Sequence, residues 1–186
     1  MPIASCASMA RVFCARPDRR MVVQAHHDLA LPRWAYVPGE HPAADHDALE
    51  YAKALVPVRY DGCVPASDPA LRYGLALNDS GFFWEAHEIL EAVWKVAPQG
   101  GRDRTLLRAC IQVANANLKM KMDRPRAAAR LLLDAAMELD EVAVRARSGA
   151  SIGFAGCFAV DGLNSSIRER LKDEHLDPAT ICLVLL

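Results

Sequence analysis

The sequence predicts an all-α fold, a single-domain helical bundle of about five to six helices with an extended Pro-rich N-terminal strap. Three observations predict it. Apolar residues recur at helical spacing between residues 44 and 147, no segment keeps the strict alternation of a half-buried strand, and Pro, Gly and Asn/Asp clusters punctuate the periodic runs. With 186 residues, 52% hydrophobic and 24% charged, the chain is long enough to bury a core of its own.

In order along the chain, residues 1–30 hold Arg11, Arg16, Arg19 and Arg20 against Asp18 and are expected to be a disordered leader, or an over-long start with the true beginning near Met21. Residues 31–43 have prolines at 32, 38 and 42 and a glycine at 39, which forbids a helix and favours an extended strap pinned by Trp34 and Tyr36. The helical core is expected over 44–147. Asp45 or Asp47 caps a first helix ending near Val56 before Pro57, and Ser67 or Asp68 caps a second, with Pro69 in its first turn and Asn78-Asp79-Ser80-Gly81 stopping it. A third helix runs from about Phe82 to Val96 and a fourth from about Arg102 to Met122. Pro125 opens a fifth, whose Ala128, Leu131, Leu132, Ala135, Leu139 and Val142 form a buried seam, and this helix packs antiparallel to the fourth. Residues 148–186 form an extension with one short helix near 160–173, where Val160, Leu163, Ile167 and Leu171 keep helical spacing.

The net charge of -1 argues against a nucleic-acid partner, because phosphate binding needs a concentrated basic surface. The basic stretch from Lys119 to Arg126 has no aromatic platform and suits a helix C-terminal dipole. No apolar run approaches the ~18–20 residues that span a bilayer, so no membrane partner is expected. The cysteines at 6, 14, 63, 110, 157 and 182 are scattered with no C-x-x-C pair, which fits reduced thiols in a cytoplasmic protein. His26, His27, His41 and His46 read as surface or cap residues.

The chemistry concentrates in Gly81-Phe82-Phe83-Trp84-Glu85-Ala86-His87-Glu88-Ile89-Leu90-Glu91-Ala92-Val93-Trp94. At about 100° per residue, Trp84, His87, Glu88 and Glu91 share one ~100° arc with Glu85 at its edge, opposite Phe83, Ala86, Ile89, Leu90 and Val93. In the next helix Arg108, Gln112, Asn115 and Lys119 recur at i, i+4, i+7 and i+11 as a complementary polar stripe. The pattern Asn78-x-x-Gly81-x-Phe83-x-Glu85-Ala86-His87-Glu88-x-x-Glu91-x-x-Trp94, followed by Ile111-Gln112-x-Ala114, resembles the signature of the domain of unknown function 309 family over about residues 67–147. The segment around Val37-Pro38-Gly39 is similar to one that some bacterial members carry upstream. The resemblance implies a small all-helical protein of unassigned role, with motif residues on Glu85, His87, Glu88, Glu91, Trp94 and Gln112. The second motif departs from the pattern: Ala109 and Cys110 precede Ile111-Gln112, and Lys119 stands where many members have a histidine, so no role of that histidine carries over.

Two uses of this centre are open. In the leading one, Trp84, Glu85, His87, Glu88, Glu91 and Trp94 join Arg108, Gln112, Asn115 and Lys119 in a network between the two helices, partly open to a small ligand, in a non-enzymatic binding or interaction module. In the alternative, a hydrolase or other acid/base enzyme uses Glu88 or Glu91 as base and His87 as a group titrating near neutral pH, with Gln112 orienting the ligand. No cofactor is predicted and no metal is favoured. Di-metal bundles want a Glu-x-x-His pair on each of two helices, and His87-Glu88-x-x-Glu91 offers one imidazole; any divalent metal would draw on Glu85, Glu88, Glu91 and His87. Partners are a small molecule or another protein, with a homodimer through the strap and residues 181–186 as a further alternative.

Overall fold

Hydrophobic periodicity becomes helix wherever Pro and Gly allow it. The computed structural model describes residues 29–40, 44–146, 153–173 and 176–183. Six α-helices appear in these: α1 His46–Ala54, α2 Pro69–Asp79, α3 Phe83–Val96, α4 Arg102–Lys121, α5 Pro125–Ala146 and α6 Val160–Arg170, with a 3-10 turn at Phe154–Gly156 between the last two. No strand occurs among the described residues. The leader expected over 1–30 lies outside them except for Leu29 and Ala30, and the expected strap falls outside them at 41–43. The last helix stops at Arg170 rather than 173.

Neighbours in sequence are neighbours in space: α2 packs on α3, α3 on α4, α4 most extensively on α5, and α5 on α6, while α1 lies against α3. Helix α4 is the centre. Leu106, Leu107, Ala109, Cys110, Val113 and Ala114 are all fully buried in it, and Ala128, Leu132, Ala135, Leu139 and Val142 of α5 close on it from one side. Burial pushes the Cys110 thiol far up, so it is a small hydrophobe rather than a nucleophile.

The two tight connections share one geometry. After α2, Gly81 (φ 90°) lets its N–H reach the Asn78 carbonyl while Phe82 N–H bonds Leu77 O at 2.9 Å. After α4, Asp123 (φ 54°) donates to Met120 O and Arg124 donates to Lys119 O at 2.8 Å. Both are paired 5→2 and 6→1 closures around a left-handed residue, which satisfy the last helical carbonyls. At the other end of α2, Asp68 accepts from Leu71 N–H at 2.8 Å as N-cap and from the Tyr60 hydroxyl at 2.9 Å. Asp45 sits at the N-cap of α1 but does not cap it. Its carboxylate takes the Arg33 backbone N–H and guanidinium instead, each at 3.0 Å, and the guanidinium holds that carboxyl below its ordinary range.

The irregular segments are fastened by polar side chains on helices. Asp103, buried in the first turn of α4, accepts from Val64 N–H and Ala155 N–H, both at 2.9 Å, and Phe154 N–H bonds Val64 O at 2.8 Å. Position 153 must be glycine here, because a Cβ would lie 2.1 Å from Asp103 Oδ2. Asn117 and Asn78 hold the 176–183 segment at Ile181, and Asp79 accepts from Leu183 N–H at 2.7 Å and from the Asn78 amide at 2.9 Å. Ile181 and Leu183 thereby join this chain's core cluster.

Replacing Asp103 by Ala leaves two buried N–H groups without their acceptor, at about 1–3 kcal/mol each. A loss of roughly 2–6 kcal/mol in urea unfolding is therefore expected for Asp103→Ala. For Asp79, burial outweighs its two donors and pushes the carboxyl up to about 6. The folded chain thus holds the proton more tightly than the unfolded one, whose carboxyl titrates at its ordinary value. The stabilisation is full below about pH 4 and is lost as pH rises through 6; because Asp79 is itself solvent-exposed, screening holds it to about 1 kcal/mol across the window. Asp79→Asn should flatten this part of the curve of unfolding free energy against pH.

Candidate functional site

The acidic face of α3 does not meet the polar stripe of α4. Its carboxylates go separate ways. Glu85, 0% exposed, accepts the Tyr36 backbone N–H at 2.7 Å and so ties the 29–40 segment to the core. Glu88 meets Lys53 of α1 at 3.1 Å, and Glu91 meets Lys95 one turn along its own helix at 3.3 Å. The His87 Nδ1 lies 3.6 Å from Glu88 Oε1, beyond hydrogen-bond range, and has no hydrogen-bond partner among the described residues.

The tryptophans act as walls between elements. Trp84 takes the Tyr36 ring edge-on at 5.0 Å and the His46 ring of α1 at 6.5 Å. Tyr73 of α2 adds a second tie to the same segment, its hydroxyl donating to Ala30 O at 2.7 Å; burial first, then the Glu85 and Asp45 charges, push that hydroxyl up to about 12 and keep it a donor. Trp94 is covered by Arg104 of α4, whose guanidinium lies 4.0 Å from the ring and donates to the Trp94 and Ala97 carbonyls at 2.6 and 2.9 Å. That cation sits where the α3 dipole is negative.

The expected α3–α4 network is therefore divided. Arg108 pairs with Glu138 of α5, and Gln112, Asn115 and Lys119 follow it along the half-exposed edge of α4. The reason is the burial of α4: α3 and α5 claim its apolar surface, and the polar stripe is the strip left over. Trp84 and Glu85 meet Tyr36, with His46 beside Trp84, and Glu88 lies between Lys53 and His87; Glu91, Trp94, Arg108, Gln112, Asn115 and Lys119 join neither group. Among the described residues no group of three or more His, Cys, Asp or Glu side chains converges as a metal site. Two concavities open elsewhere, one over Ser165, Glu169, Arg170 and Asp173, the other between Phe83, Asn117, Met120, Lys121, Pro178 and Thr180.

Sequence reasoning passed over Lys53, Arg104, Asp103 and Asn117, and read Asn78 and Asp79 only as motif and helix-stop positions. For Asn117 a signal existed, since it stands between Ala116 and Leu118 in a helix interior that disfavours Asn. The model of the family described as Domain of unknown function (DUF309) matches residues 71–131, and that stretch, from α2 into α5, belongs to the family. No curated protein and no solved structure matches the chain.

Because Glu85 alone among these carboxylates is fully buried, Glu85→Ala should lower stability by about 2 kcal/mol through the orphaned Tyr36 N–H, whereas Glu91→Ala should stay within about 0.5 kcal/mol. Paired urea melts, with Trp fluorescence reporting on Trp84, measure the contrast.

Proposed function

We propose that the chain carrying this DUF309 domain is a non-catalytic interaction module of the cytoplasm, in which the acidic face of α3 is an anchor for the 29–40 segment rather than a reaction centre. One observation carries the reading: each α3 carboxylate is committed to a different structural partner, Glu85 to Tyr36, Glu88 to Lys53 and Glu91 to Lys95. Proton transfer needs acid and base to converge on one reacting atom, and these diverge. The cytoplasmic part is supported by the free thiols of Cys63, Cys110 and Cys157. No helix among the described residues is long and apolar enough to cross a membrane.

A second reading keeps one observation in its favour. His87 Nδ1 is shielded from solvent without a hydrogen-bond partner among the described residues, beside Glu88, so a small molecule or a divalent metal that supplied one would engage acid/base chemistry by Glu88, Glu91 and His87.

Thermal-shift titration with divalent metals, EDTA and a panel of small metabolites separates the two. The module reading expects the melting temperature of the unaltered chain to stay within about 1 °C throughout, while Glu85→Ala melts roughly 4–8 °C lower. A ligand-specific rise of several degrees that His87→Ala abolishes would establish the second reading instead.

A further inference from the structure

The most unusual contact in the molecule is made by Asn117. Its Oδ1 accepts the Ile181 N–H at 3.1 Å and its Nδ2 donates to the Ile181 carbonyl at 3.0 Å, so a helix side chain satisfies both main-chain groups of one extended residue as a neighbouring strand would. Asn78 reinforces it: Asn117 Nδ2 also donates to Asn78 Oδ1 at 2.9 Å, and Asn78 Nδ2 donates to the same Ile181 carbonyl at 3.0 Å. Two residues on, Asp79 takes the Leu183 N–H. Ile181 and Leu183 point inward, 4% and 2% exposed, and Cys182 between them faces out. Amides that read backbone, with buried positions for alternate side chains, recognise conformation and apolar spacing rather than a sequence.

The occupant does not fill its groove. A solvent-open concavity of about 160 Å³ lies between the exposed Pro178 and Thr180 of the segment and Phe83, Asn117, Met120 and the exposed Lys121 of the helices. That is room for several waters, each of which takes ~30 Å³ in the liquid. Phe83, Asn78, Asp79 and Asn117 all lie in the stretch 71–131 that matches the family, while residues 176–183 lie outside it. The receptor groups and their occupant thus belong to different parts of the chain.

We propose that the groove between α2, the start of α3 and α4 is a docking site for an extended peptide of a partner protein, apolar at two positions spaced i and i+2 and acidic just before them, for which residues 178–183 are a displaceable stand-in. The acidic side chain replaces Pro178 or Thr180, enters the concavity and meets Lys121. Asn117 and Asn78 grip the main chain of the first apolar residue, and Asp79 that of the second. The proposal rests on the module reading, but it uses none of the groups on the acidic face of α3. A metal or metabolite response at His87 would therefore remove the module reading and leave peptide capture to be decided on its own.

The probe is a fluorescein-labelled peptide of residues 177–183 carrying Thr180→Glu and Cys182→Ser, titrated with the full chain and followed by anisotropy. The tethered segment competes at a high effective concentration, so the double variant Ile181→Ser/Leu183→Ser, which loosens that segment, should bind the probe at least about tenfold more tightly than the unaltered chain. Adding Asn117→Ala should abolish the gain. A double variant that keeps its helical circular dichroism and cooperative melt yet fails to bind the probe overturns the proposal. Hydrogen exchange on the unaltered chain gives an independent reading if that variant does not fold. The Ile181 and Leu183 amides should exchange at least about tenfold faster than that of Val113 in α4, and exchange only with global unfolding overturns the proposal. A concentration-dependent dimer that the double variant loses would show a segment exchanged between copies and would also overturn it.

Discussion

An extended segment that crosses a helical bundle has no neighbouring strand to take its N–H and C=O groups, and the helices have already used their own. Buried without partners, such groups cost about 1–3 kcal/mol each, so every crossing must be met by a side chain long enough to reach out from a helix. This molecule meets that constraint repeatedly with the same device. Glu85 receives Tyr36, Asp103 receives Val64 and Ala155, Asn117 receives both groups of Ile181, and Asp79 receives Leu183. The buried polar residues are in this sense the seams of the structure.

That constraint explains the division of labour along α3 and α4. Helix α4 is enclosed on nearly all sides, so its polar residues either reach a crossing segment, as Asp103 and Asn117 do, or line the one edge that remains wet, as Arg108 and Gln112 do. Helix α3 is covered by α1, α2, α4 and the 29–40 segment, with Lys95 its one exposed residue. Its single fully buried acid is the one that faces the 29–40 segment, and Glu88 and Glu91 remain half-exposed, where ion pairs contribute at most about 1 kcal/mol. An acid-rich helix can therefore be built mainly by the need to hold one backbone amide.

The helices were legible because the signals that make them are local. Pro69 and Asp68 opening α2, Gly81 closing it, and Pro125 opening α5 act through their own dihedrals and hydrogen bonds, within a turn of where they stand. The wheel of α3 likewise separated its apolar from its acidic face. A wheel does not say which neighbour a face will meet, and the polar stripe of α4 was assigned to α3 when Arg108 turns to Glu138 on α5. Asp45 read as a cap by position, yet the competing donor Arg33 lies twelve residues away in a segment with no periodicity of its own. Asp103 was the least readable of all, since its partners stand 39 and 52 residues distant and nothing near it announces them. The candidate site was thus half visible: its residues were named, but their partners depend on tertiary placement.

The grip on Ile181 has a consequence in time. A ribosome delivers α2, α3 and α4 well before residue 181, and the distance from Lys121 to Ile181 takes roughly 3–12 s at ~5–20 residues per second. For that interval Asn78 and Asn117 have only each other and Asp79, and the channel for Ile181 and Leu183 stands open. Every molecule of this protein passes through a stage in which the channel is vacant, and whatever extended chain is nearby at birth competes for it first.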